Sequence, residues 1–257
     1  MIIGPSEAGK TTFTAALANT LHARGLRVAI VDADVGQSEI GPPGTVGLGA
    51  VAAPIERTGD AEIIRFEFIG RTSPGRQPWR TAEATARLVA AAREFDRVVV
   101  DTSGFVDGGF GASLKQRKIA GADPDAVVLV QHADECEHIV RGLSTRARLV
   151  RLPALTGVTT RTPAARRRHR DAALARHLEG ARPVTLSTSR VDVRSLAGAE
   201  VAPGTIAPMT VVALHDGDGN TLALGVVDSA DAGGLIVRTT LRASAVARVT
   251  VGEMTAG

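Results

Sequence analysis

The stretch GPSEAGKT, Gly4-Pro5-Ser6-Glu7-Ala8-Gly9-Lys10-Thr11, fits the phosphate-loop pattern G-x-x-x-x-G-K-[ST]. Gly4 and Gly9 permit the tight backbone path that aims successive N–H groups at phosphates. A helix starting near Lys10 adds its positive dipole end. Lys10 then reaches the β- and γ-phosphates, the Thr11 hydroxyl is the expected Mg²⁺ ligand, and Thr12 closes the nucleotide cradle that runs from Gly4. Such a loop says that a nucleotide binds. It leaves open whether the γ-phosphate goes to water, a protein, a small metabolite or a nucleic acid.

Three further stretches bear on that choice. VDADVGQSE, Val31 to Glu39, ends an apolar run at the carboxyl edge, where doubly wound folds bind ligands. Asp32 and Asp34 are taken to point to opposite sides of that strand, so that one acid faces the γ-phosphate. Gln37 follows in a glycine-containing turn and can hydrogen-bond an incoming group. DTSGF, Asp101 to Phe105, ends another apolar run, and Asp101 is placed to hold Mg²⁺ directly or through water. Phe105 follows Gly104 at a strand exit, a suitable place to stack a base. Finally, RTPAARRRHR carries Arg161 and Arg166 near the start of a helix, from which they can swing over the phosphates as a lid. Arginine brought to a transferring phosphoryl group stabilises its spread negative charge.

These residues need a scaffold that brings strand ends together. Ile2–Ile3 read as the end of a strand, and Thr11 to Arg24 as a helix with Phe13, Leu17 and Leu21 on one face. Continuous apolar runs at 26–32, 97–101, 125–131, 147–152 and 184–188 have the composition of strands buried on both faces of a parallel sheet. Helical stretches at about 81–94, 112–120, 135–145 and 163–179 separate them. The alternation predicts an α/β phosphate-loop fold, three layers deep, with helices on both faces of a mostly parallel sheet. After Ala202 the texture changes to short β-rich runs divided by DGDGN and DAGG turns. The expected division is therefore a phosphate-loop domain at 1–202 and a small all-β domain at 203–257. Only Met1 to Ile3 precede the loop, fewer than the five or six residues of an ordinary buried strand.

Composition narrows the setting. Hydrophobic residues make up 44% and charged residues 22% of the 257, as in ordinary globular domains. No window approaches about eighteen uninterrupted apolar residues, so no membrane span is expected. The direct entry into the phosphate loop leaves no room for a signal peptide, and the single cysteine, Cys136, suits a reducing cytoplasm. The net charge is only +3, but its make-up is uneven. Of 30 lysines and arginines, three are lysine: Lys10, Lys115 and Lys118. Arginine crowds between Arg141 and Arg182, as a footprint for phosphate-rich partners would.

Taken together, these stretches resemble the polynucleotide 5′-hydroxyl kinases that include the kinase subunit of the eukaryotic pre-mRNA cleavage complex, the nucleolar pre-rRNA kinase and archaeal relatives. GPSEAGKTT resembles that family's phosphate loop, and DADVGQSEIGPPGTVGL its D-x-G-Q segment with the following P-G-T. FIGRTSPGRQP resembles the family's clasp, DTSGFVDGGFGASLKQRKI its T-x-G-aromatic motif, and TRTPAARRRHR its lid of two arginines five apart. The resemblance implies a compact member without the N-terminal β-domain of the eukaryotic proteins. It chooses Asp34 as the carboxylate facing the 5′-hydroxyl and the metal, with Gln37 beside it. It places Phe105, with Thr102 and Gly104, at the substrate, and Thr72, Ser73 and Pro74 along the nucleotide phosphates. The implied cofactors are ATP (or another nucleoside triphosphate) and Mg²⁺, and the implied partner is RNA or DNA with a 5′-hydroxyl end. Protein partners are left open.

Two other classes share parts of this pattern. A MinD-like or signal-recognition-type nucleotide switch also has a GLRVAIVDADVGQ-like segment, but such ATPases often carry an early loop lysine where this chain has Pro5-Ser6-Glu7. A non-catalytic, ATP-bound scaffold in RNA processing is disfavoured by keeping Lys10, Asp34 and both lid arginines together. The arginines supply a test of the kinase reading. Replacing Arg161 or Arg166 should lower turnover more than it weakens oligonucleotide binding. Replacing Arg167, Arg168 and Arg170 together should mainly weaken binding and flatten its salt dependence. Small, equal effects from both sets would make the run a solvated helix face.

Overall fold

The apolar run before Asp34 becomes a strand that is buried throughout, β2 (Val28–Ala33), and its neighbours explain why. In the computed structural model, which describes residues 1–73, 78–141, 143–155 and 162–256, β2 lies inside a seven-stranded sheet. Its partners are β1 (Ile2–Ile3), β3 (Thr45–Val51), β4 (Glu62–Phe68), β5 (Arg97–Thr102), β6 (Ala126–Gln131) and β7 (Arg148–Pro153), in the order β4-β3-β2-β5-β1-β6-β7. The β2, β5, β1, β6 and β7 pairings are parallel, and β3 runs antiparallel to β2. Coverage on both faces is why β2 reads as an unbroken apolar run, whereas the edge strand β7 is largely exposed. β1 comprises Ile2 and Ile3, held between β5 and β6.

Four helices accompany this sheet: α1 (Lys10–His22), α2 (Pro78–Ala91), α3 (Gly108–Ala122) and the single turn α4 (Glu137–Val140). Ala15 and Ala18 of α1 pack with Ile2, Val28, Ile30 and Val99 in one core cluster, with Phe13, Leu17 and Leu21 against it. These are the helix-spaced residues expected to face inward. α2 packs on α3, β2 and β3. The phosphate-loop α/β architecture anticipated from the sequence is present. The helix expected over 135–145 shrinks to four residues. No described helix is long and apolar enough to cross a membrane.

The contact pattern divides the chain into two compact units, and they do not part at 202/203. The first comprises Met1–Gly41, Thr45–Phe66 and Ser73–Thr162, and the second Pro42–Gly44, Glu67–Thr72 and Pro163–Gly257. The reason is strand pairing. The run at 184–188, expected in the parallel sheet, forms β8 (Arg182–Ser187), which pairs antiparallel with β12 (Gly234–Thr239). The second sheet also takes β9 (Asp192–Ser195), β10 (Thr210–His215), β11 (Thr221–Asp231) and β13 (Arg248–Thr255), in the order β8-β12-β11-β10-β13-β9. An apolar run alone does not say which sheet completes it. α5 (Pro163–His177), with the arginine run, belongs to this second unit.

One hydrogen bond ties α5 to that sheet: the Leu224 backbone N–H donates to His177 Nε2 at 3.1 Å. Burial holds the His177 ring below the ordinary histidine range. The folded form therefore resists a proton that the unfolded chain takes up near about pH 6.5. The stabilisation is present above that pH and is lost as the pH falls below it. His177→Gln offers a carbonyl to the same N–H without titrating. The melting-temperature difference between wild type and variant should shift against the wild type on acidification from about pH 8 to about pH 5.5. A difference that does not change with pH would show that His177 is not held neutral.

Candidate active site

The phosphate loop leaves β1 and enters α1 through two left-handed residues, Glu7 (φ 64°) and Gly9 (φ 88°). Its path is fixed by close neighbours. A Cβ on Gly4 would lie 2.2 Å from the Val130 carbonyl oxygen, and one on Gly9 would lie 2.6 Å from Leu155 Cδ1. The Leu155 N–H also donates to the Ala8 carbonyl at 3.1 Å. Lys10 Nζ folds back to donate to the Pro5 carbonyl of its own loop at 2.6 Å. Burial pushes its pKa down, while the charges of Asp101 and Asp34 hold it up.

Thr11 and Asp101, the two candidate metal ligands, meet directly. Thr11 Oγ1 donates to Asp101 Oδ2 at 2.7 Å, while Asp101 Oδ1 is buried and accepts no hydrogen bond. Burial pushes the Asp101 carboxyl up to about 6, opposed by the Thr11 hydroxyl and the Lys10 charge. An unpaired buried carboxylate oxygen beside the phosphate-loop hydroxyl is what a divalent cation would satisfy. Among the described residues no set of three or more His, Cys, Asp or Glu is arranged to hold a metal alone. A cation here would take its remaining ligands from phosphates and water, as Mg²⁺ characteristically does.

Asp32 and Asp34 do differ, but not by strand alternation. Residues two apart share a face of a regular strand, and β2 ends at Ala33. What separates the acids is the turn. Asp32 is fully turned inward, accepting the Asp34 N–H on Oδ1 at 3.0 Å and the Glu39 and Ile40 N–H groups on Oδ2 at 2.6 and 3.1 Å. Burial pushes it up to about 8, with the Asp101 charge adding and the backbone donors opposing. Asp34 is half-buried, with Oδ1 accepting from the Gly36 and Gln37 N–H groups at 3.0 and 3.2 Å. Its charge bears on all three lysines of the chain. Asp32 shapes the turn, and Asp34 is the more open of the two acids.

The Gly104–Phe105 loop is pressed on the phosphate loop. A Cβ on Gly104 would fall 2.4 to 2.5 Å from Ser6 Oγ, Cα and N, so only glycine fits. Phe105 is 40% exposed beside this contact, and Phe110, at the start of α3, is 67% exposed. Thr102 is a correction. It is buried, donates its hydroxyl to the Ile2 carbonyl at 2.8 Å and accepts from Lys115 Nζ at 3.1 Å, so it fastens β5 to β1 rather than meeting a substrate. Of the clasp residues, Thr72 falls in the second unit, Ser73 in the first, and Pro74 lies outside the described residues. Arg161 also lies outside them, and Arg166 belongs to the second unit.

Sequence reasoning missed two residues. Lys115 and Lys118 of α3 are fully buried behind the two strand-end loops. The signal was there: in a chain that uses arginine almost everywhere, lysine survives at three positions, all at this site. A compact ammonium fits a buried carbonyl where a planar guanidinium does not.

Residues 4–180 match the family model described as mRNA cleavage and polyadenylation factor CLP1 P-loop. The chain belongs to the CLP1 P-loop family. Curated relatives include a polyribonucleotide 5′-hydroxyl-kinase of Thermococcus kodakarensis, 34% identical over 170 residues, covering 66% of this chain and 48% of the relative. A polyribonucleotide 5′-hydroxyl-kinase of Pyrococcus furiosus is 32% identical over 194 residues, covering 75% of this chain and 54% of the relative. This CLP1 P-loop chain thus spans about half the length of the curated relatives it matches. A solved Clp1p–Pcf11p complex contains a chain of the same fold, with TM-score 0.77 at 10% identity over 99% of this chain and 73% of that one.

The two acids give a decisive comparison. Asp34→Asn keeps the acceptor for Gly36 and Gln37, so the melting temperature should stay near wild type. Phosphoryl transfer should nonetheless fall about 10²–10⁴-fold, the usual cost of losing a general base. Asp32→Asn sets an amide against backbone donors, and should lower stability by about 1–3 kcal/mol. Reversal of these two phenotypes would move the catalytic role to Asp32.

Proposed function

We propose that this chain is an ATP- and Mg²⁺-dependent polynucleotide kinase that transfers the γ-phosphate to the 5′-hydroxyl of RNA. The observation that carries it is the Gly104–Ser6 contact, which sets the exposed Phe105 beside the phosphate loop. A nucleotide site thereby gains a stacking surface for a second, base-bearing substrate. The archaeal relatives are polyribonucleotide 5′-hydroxyl-kinases by name, which supports RNA as that substrate.

In this reading Lys10 leaves the Pro5 carbonyl for the phosphates, and the backbone N–H groups of the loop hold them. Thr11 Oγ1 and Asp101 Oδ1 would hold the cation, which would neutralise phosphate oxygens. Asp34 accepts the proton of the 5′-hydroxyl as its oxygen bonds to phosphorus. Gln37 orients that hydroxyl, and Arg161 and Arg166 close over the transferring group. The segment from Pro203 supports substrate without taking part in the chemistry.

The test is transfer of labelled γ-phosphate with and without a 5′-hydroxyl oligoribonucleotide. Label should appear on the RNA 5′ end, and Lys10→Ala should lower turnover by about two orders of magnitude or more. A competing oligodeoxyribonucleotide decides selectivity. ATP hydrolysis without a labelled oligonucleotide would mark a nucleotide switch, and ATP binding with neither outcome a scaffold.

A further inference from the structure

α3 projects two ammonium groups to the exits of two different strands. Lys118 Nζ donates to the Ala33 carbonyl at 2.8 Å, one residue before Asp34. Lys115 Nζ donates to the Ser103 carbonyl, one residue before Gly104, and also reaches Ser103 Oγ at 3.2 Å and Thr102 Oγ1 at 3.1 Å. Both side chains are 0% exposed. Three apart, they lie on one face of the helix. Each grips the main chain where regular pairing stops, since Ala33↔Thr102 is the last register pair of β2 and β5.

Neither placement is what folding alone favours. Buried lysine is expensive unless paired, and an apolar side chain on this face would pack without that cost. The carbonyls the lysines meet belong to buried residues, Ala33 at 1% and Ser103 at 6% exposure, and need a partner there. A buried cation holds each loop at one place, and the charge that accompanies it sits among Asp32, Asp34 and Asp101.

Resting on the kinase reading above, we propose that Lys118 and Lys115 are positioning residues with separate duties. Lys118 fixes the loop that presents Asp34 to the reacting hydroxyl. Lys115 fixes the loop that presents Phe105 to the nucleic-acid end. α3 is thus a strut with one anchor for chemistry and one for substrate. Neither lysine touches the reacting atoms.

The two duties separate in steady-state kinetics. Lys118→Met fills the space without donating to Ala33. It should lower kcat by about tenfold or more, because a small misplacement of a reacting group is costly, and leave KM for the oligoribonucleotide within about threefold of wild type. Lys115→Met should raise that KM by about tenfold with the smaller effect on kcat. Affinity for a fluorescent ATP analogue should be near wild type in both, showing the phosphate loop intact. Equal changes in kcat and KM for both variants, or losses that merely follow melting temperature, would overturn the proposal. If either Met variant does not fold, Lys118→Gln or Lys115→Gln replaces it, and failure of that variant too makes the lysine structural and overturns the proposal. A wild-type chain that labels no RNA overturns the kinase reading and this inference with it. Active wild type with unsplit variants overturns this inference alone.

Discussion

Parallel register brings the exits of three strands to one level: Asp101 lies opposite both Asp32 of β2 and Ile2 of β1. Every chemical group at the site is placed by that alignment. The phosphate loop leaves β1, the Asp34 turn leaves β2, and the Gly104–Phe105 loop leaves β5. Because parallel strands all end their carboxyl termini on one edge, the three loops must converge there. Their mutual approach is so close that Gly104 has no room for a side chain against Ser6.

Convergence creates an electrostatic problem, since Asp32, Asp34 and Asp101 share a poorly solvated edge. The chain answers it with its three lysines. Lys10 is nearly buried and Lys115 and Lys118 are completely so. Burial lowers Lys118 to about 8 and depresses Lys115 well below its usual range, with the neighbouring Lys118 charge adding to the latter. Acids raised by burial and amines lowered by burial approach each other, and their mutual attraction offsets part of what desolvation costs. Asp32 meets the same problem by a different route, with three backbone N–H groups converging on one carboxylate.

Much of this was legible in the residues. The phosphate loop, α1, β2, β5 and β6 follow from glycine spacing and from apolar runs whose length suits a buried strand. β3 and β4 were not foreseen, because Thr45–Val51 contains two glycines and Glu62–Phe68 is largely exposed along its first half. β8 was foreseen as a strand but assigned to the wrong sheet, since pairing partners near Gly234 are not encoded in local composition. At the site, Asp101 was identifiable by its position after an apolar run, while Asp34 was singled out from Asp32 only by the family resemblance. Thr102 was misjudged because a hydroxyl at a strand end can turn either way, and here the Ile2 carbonyl and Lys115 claim it. The lysines of α3 were visible only as a departure from arginine usage, whose meaning needs the fold.

The packing of Leu155 carries a mechanical consequence. Its side chain fills the place where Gly9 has no Cβ, and its N–H holds the Ala8 carbonyl. The chain runs from Leu155 directly into the segment that bears Arg161. Displacing the backbone at Ala8–Gly9 must therefore displace Leu155, and the converse holds equally. Free energies that pass through such a joint are reciprocal: whatever a phosphate on the loop does to the seating of Leu155, that seating does in equal measure to the loop's hold on phosphate.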